Sequence, residues 1–111
     1  MPRRLGYAVA VMILGAVWTT PCVAAETPRM LWVKAKCALC HGEDGRGDTP
    51  SGKQIQVPDL RGDEIQNKTA EDLSKSVSRG HKKMPSFKNR LTNEQVVKLI
   101  LYIRDLAKER E

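Results

Sequence analysis

Five consecutive residues, Cys37-Ala38-Leu39-Cys40-His41, constrain this chain more than any other stretch. On a helical turn, positions i, i+3 and i+4 share one face, so both sulfurs and the imidazole project the same way. Thiols so placed can each add to a vinyl group on one haem edge while His41 reaches the iron from one side. That is the mechanics behind the c-type attachment spacing. Other chemistries use C-x-x-C, a disulfide among them. A thioredoxin-like dithiol needs a βαβ context, and no alternating strand pattern occurs. A zinc site wants four ligands; Cys37, Cys40, His41 and His81 are available, but in no familiar zinc spacing. The motif predicts one covalently attached haem c.

The chain has 111 residues, room for one domain. Arg3 and Arg4 precede an apolar run from Leu5 to Trp18, a polar break at Thr19-Thr20-Pro21, and Val23-Ala24-Ala25. A basic stretch, an apolar stretch and a small-residue cleavage site in that order read as a secretory signal. The run is short for a membrane span, which takes about 20 apolar residues; an uncleaved anchor is the alternative. Cleavage after Ala25 divides the chain into a signal, 1–25, and a domain, 26–111, in the periplasm. Neither a twin-arginine signal at Arg3-Arg4 nor a lipid anchor at Cys22 has fitting neighbours, so Cys22 leaves with the signal. Removing Arg3 and Arg4 from 19 bases leaves 17 against 13 acids, a formal charge of +4. The domain's aromatic residues are Trp32, Phe87 and Tyr102. So thin a core in a small domain calls for a staple, metal or cofactor.

The helical pattern predicts an all-α domain, three main helices and loops around the haem. The first helix is expected over 28–39, opened by Pro28, with Leu31, Ala35, Ala38 and Leu39 on its apolar face. Residues 41–60 read as a loop because of their glycines and prolines, and 63–66 as a single helical turn. The second helix starts at Thr69, with Asp72 three residues on, carries Ala70, Leu73 and Val77, and stops at Gly80. In the third, Thr92 and Gln95 form a capping box, followed by Val96, Leu99, Ile100, Ile103 and Leu106 at helical spacing. Leu101 and Tyr102 widen that stripe.

His41 supplies one axial ligand, and a low-spin electron-transfer iron takes a second strong one; methionine sulfur raises the potential. Met30 lies seven residues before Cys37 on the same helical segment and belongs to the core. Met84 sits between two helices in Gly80-His81-Lys82-Lys83-Met84-Pro85-Ser86-Phe87, stiffened by Pro85, and is the expected distal ligand. His81 is the competitor, with a solvated surface position as its plain alternative.

With CALCHG, PDL after the glycine-rich loop, MPSF and the final LTNEQVVKLILYIRDL, the domain resembles the class I cytochromes c of bacteria over nearly its whole length. The resemblance implies helices around the haem, the first and last crossing, with Leu99 and Tyr102 at the crossing. It also implies that Pro58 is the proline whose carbonyl accepts a hydrogen bond from the His41 imidazole, which orients the ring; a plain turn residue is the alternative. The family's aromatic residue four positions before the first cysteine is here Val33, and Trp32 stands one residue earlier.

Arg79, Lys82, Lys83, Lys88 and Arg90 cluster near the Met84 loop. In the resembled family such a face lies by the haem edge and steers docking onto acidic redox partners; a merely solvated basic face is the alternative. The function implied is a monomeric exported one-electron shuttle, not an enzyme, with no small-molecule substrate. Export argues against nucleic-acid binding. The alternative function is a haem-bearing subunit docked on a periplasmic dehydrogenase or oxidase. A haem enzyme or gas sensor would need an open sixth position.

Overall fold

The computed structural model describes residues 25–109 without a break, and residues 2, 6, 10, 12 and 15–22 ahead of them. Arg3, Arg4 and most of the apolar run read as an export signal lie outside the described residues. Among the described residues no helix is long and apolar enough to cross a membrane.

The domain is helical: α1 (Pro28–Lys34), α2 (Cys37–His41), α3 (Pro50–Ile55), α4 (Asp63–Gln66), α5 (Ala70–Arg79) and α6 (Asn93–Lys108). Helix α6 is the spine, and α1 and α5 both pack on it. Its start is a full capping box: the Thr92 hydroxyl accepts from Gln95 N at 3.2 Å, and Gln95 Oε1 accepts from Thr92 N at 2.9 Å. The predicted stripe of Val96, Leu99, Ile100, Ile103 and Leu106 is buried. Leu101 does not widen it, being 57 % exposed on the outer face. At α5, Thr69 caps by accepting from Asp72 N, and Leu73 and Val77 enter the core. Ala70 stays outside.

Three further expectations need correction. Met30, expected in the core, is 60 % exposed. The helix expected over 28–39 is broken, because Lys36 adopts a left-handed conformation (φ 64°, ψ 20°) between α1 and α2. The buried face of Leu31 and Trp32 is therefore not continued by Leu39, which is 61 % exposed. The stretch 41–60 is not all loop, since α3 lies inside it. Thr49 caps α3 by accepting from Gly52 N at 2.9 Å, and Pro50 occupies its first turn, where a missing N–H costs nothing.

Polar bonds fix how the helices meet. Arg104 donates to the Gln66 carbonyl at 2.9 Å and the Lys68 carbonyl at 2.6 Å, tying the α4–α5 junction to α6. Gln66 Nε2 donates to the Leu60 and Ile103 carbonyls. At the other end, Lys98 Nζ donates to the Glu26 carbonyl at 3.3 Å.

Candidate haem-binding site

The short helix α2 carries Cys37, Cys40 and His41 within little more than one turn. Both cysteines are free thiols. Cys37 is buried, and burial pushes its thiol up to about 11. Burial also lowers the His41 pKa, which favours the neutral imidazole that a metal requires. His41 Nδ1 is buried with no hydrogen-bond partner. An orphaned buried polar atom costs about 1–3 kcal/mol, so something outside the polypeptide is expected to fix this ring. The anticipated bond from the ring to the Pro58 carbonyl is not formed here.

Three layers hold α2 in place. On one side the Thr49 hydroxyl donates to the Leu39 carbonyl at 2.7 Å and the Cys40 carbonyl at 3.1 Å, gripping the end of the helix. Gly52 of α3 sits flush on the same turn; a Cβ there would overlap the Cys40 carbonyl oxygen and lie 2.5 Å from Gly47 O.

Behind α2, Gly47 N donates to the His41 carbonyl at 2.8 Å. Gly47 has φ 72°, and a Cβ on it would sit 2.6 Å from Val57 Cγ2 and 3.6 Å from the Pro58 carbonyl oxygen. The Val57-Pro58 segment thus packs on Gly47, the residue that holds the His41 carbonyl.

The third layer is aromatic. Trp32 Nε1–H donates to the Gly42 carbonyl at 2.8 Å, and its ring lies 5.8 Å from the His41 ring. Tyr102 of α6 packs on Trp32 at 5.3 Å and donates its O–H to the Glu43 carbonyl at 3.0 Å. The two aromatic residues where α1 meets α6 therefore hold the backbone immediately after His41. Trp32 takes the buried place, 2 % exposed, and Val33 is 47 % exposed. The break at Lys36 explains the shifted aromatic position: the spacing from Trp32 to Cys37 is not a helical spacing. Its grip on Gly42 had no signal in the sequence.

Met84 is half-buried against the core, whereas His81 is exposed. The two residues close a tight turn: His81 N donates to the Met84 carbonyl at 3.1 Å, and Met84 N to the His81 carbonyl at 2.8 Å. A cleft of about 500 Å³ opens between the α1–α2 junction and the segment after Met84. Leu31, Ala35, Phe87 and Leu91 are among its apolar lining, and Lys34, Lys36 and Arg90 bring charge to it. Among the described residues no three His, Cys, Asp or Glu side chains converge as a metal cluster, so the four-ligand zinc set is not assembled. Two free thiols and a neutral imidazole on one short helix, with a stranded ring nitrogen, fit a covalently held haem.

A helical frame presenting that thiol–thiol–imidazole set defines a c-type haem domain. The family model described as cytochrome c oxidase, cbb3-type, subunit III matches residues 23–103. The chain is also similar to cytochrome c6 of Leptolyngbya boryana, 32 % identical over 75 residues, covering 68 % of this chain and 85 % of the relative. The chain belongs to the class I c-type cytochromes, small proteins carrying one covalently attached haem c, in the family that this model describes.

Proposed function

We propose that this protein is an exported one-electron carrier in which His41 and Met84 are the axial ligands, and that residues 1–25 are removed to leave the domain 26–111. The family makes it a haem-based electron carrier. The observation that supports His41 as a ligand is its buried, unpartnered Nδ1 on the helix that presents Cys37 and Cys40, and Met84 is favoured by its half-buried place against the core.

Bound haem supplies an iron that accepts and releases one electron. Cys37 and Cys40 hold the group through thioethers. His41 presents a neutral imidazole, with Trp32, Thr49 and Gly47 fixing the backbone around it. With haem bound, the Pro58 carbonyl, 3.6 Å from where a Cβ on Gly47 would sit, would be the acceptor for the His41 Nδ1–H. Half-buried Met84 offers its sulfur in preference to exposed His81. With both axial positions filled by side chains, no substrate binds, and the protein works as a carrier rather than an enzyme. Arg79, Lys82, Lys83, Lys88 and Arg90 are all exposed, and they form the face for acidic redox partners, approached by a monomer.

The visible spectrum tests the ligand pair. Ferric wild type should be low-spin with the weak far-red sulfur-to-iron band, and Met84→Ala should lose it. A low-spin spectrum without that band moves the ligand to His81, and a high-spin one contradicts the carrier reading.

A second reading, a haem subunit held on a larger oxidase, is favoured by the description of the matching family. Co-purification with a large partner at stoichiometric yield supports it, and a free monomer in the periplasmic fraction supports the shuttle.

A further inference from the structure

The Met84 loop is fastened to the end of α5 by bonds independent of any haem. The Ser86 hydroxyl donates to the Ser78 carbonyl at 2.6 Å, and Phe87 N donates to the Val77 carbonyl at 3.1 Å. Both acceptors belong to the last turn of α5, where carbonyls lack partners within the helix. Gly80, with φ 82°, makes the close approach possible: a Cβ there would lie 2.8 Å from the Met84 carbonyl oxygen and 3.0 Å from Ser86 N. Ser86 is the only side chain in this pair of bonds to α5, and its hydroxyl oxygen also accepts a long bond from Lys88 N at 3.4 Å.

We infer that Ser86 is a positioning residue for Met84, its hydroxyl bond to the Ser78 carbonyl acting as the latch that sets how often the loop opens and the methionine sulfur leaves the iron. This rests on the reading of Met84 as distal ligand. The loop's other hydrogen bonds to α5 and within its turn are main-chain bonds, which a side-chain substitution leaves chemically intact, and Phe87 anchors its far end in the core. The hydroxyl is the one tie that a single atom removes. Opening breaks one iron–sulfur coordination bond; an outside ligand then forms an iron–nitrogen bond, and no electron changes hands.

Saturating imidazole mixed with the ferric holoprotein reads the opening rate, because the incoming ligand waits for Met84 to leave. Ser86→Ala should keep the resting far-red band and speed imidazole binding roughly five-fold, the factor that one net hydrogen bond is worth. Ser86→Thr, which keeps the hydroxyl, should remain near the wild-type rate. Thr69→Ala removes the cap at the far end of α5 and destabilises the domain without touching the latch; its rate should not change.

A Ser86→Ala rate within two-fold of wild type overturns the latch, and so does an equal acceleration in Thr69→Ala. Failure of the ligand reading looks different: the far-red band is then absent from wild type or survives in Met84→Ala.

Discussion

Gly52→Ala separates two effects of opposite sign. In an isolated helix, replacing glycine with alanine is favourable by about 1 kcal/mol. At Gly52 the new Cβ would overlap the Cys40 carbonyl oxygen and stand 2.5 Å from Gly47 O, where ordinary contact begins at 3.4 Å. The two nearest obstacles are backbone atoms, and the Cys40 carbonyl is nearer than Gly47 O, so α3 must move away from α2 by more than the 0.9 Å shortfall at Gly47 (3.4 − 2.5 Å). Overpacking of this kind costs about 1–3 kcal/mol, here at the upper end because two oxygens are hit. The same movement stretches the Thr49 bonds to Leu39 and Cys40, now 2.7 and 3.1 Å, at about 1 kcal/mol. Setting the helix gain against these leaves a net loss of about 3 kcal/mol, or roughly 12–24 °C in Tm for a domain of this size. Thermal unfolding of the holoprotein, followed at 222 nm and in the Soret band, measures it. A variant as stable as wild type, or more so, refutes the claim that α2 and α3 touch through this glycine.

Trp32→Phe keeps a ring beside Tyr102 but strands the buried Gly42 carbonyl, and should cost about 1–3 kcal/mol in denaturant unfolding. Thr92→Ala removes the capping box of α6 and should cost about 1 kcal/mol by the same assay. Asp59 is held below the ordinary carboxylate range, first by the Arg61 side-chain hydrogen bond. Its contribution to stability is present above the unfolded carboxylate value and is lost as pH falls through the folded one. In Arg61→Gln, the Asp59 titration followed by NMR should move up toward the ordinary range.

The reading from sequence was strongest where chemistry or periodicity forces a pattern. The attachment motif has one spacing because two thiols and an imidazole must share a face. The α6 stripe has one register because its capping box and buried residues agree, and only Leu101 was misplaced. It was weakest where a conformation carries no residue signal. Lys36 in a left-handed turn looks like any lysine, so the break between α1 and α2 and the exposure of Leu39 both came from the structure. Helix α3 was hidden by Gly52, which reads as a breaker but is glycine because the Cys40 carbonyl leaves no room for a Cβ. Thr49-Pro50, a capping residue followed by a first-turn proline, was the signal that could have revealed it. The Trp32 bond to Gly42 joins positions ten residues apart across that break, and no local pattern encodes it. Met84 and His81 share one turn, and only burial separates them.

Covalent haem attachment is tested most directly by the intact mass of the protein, taken under denaturing conditions after expression in a host that matures c-type haem. One species is expected: a chain beginning at Glu26 with one haem that survives denaturation, and none on Cys37→Ser/Cys40→Ser. A wild-type chain without covalent haem, or one lighter by two hydrogens from a Cys37–Cys40 disulfide, would contradict it.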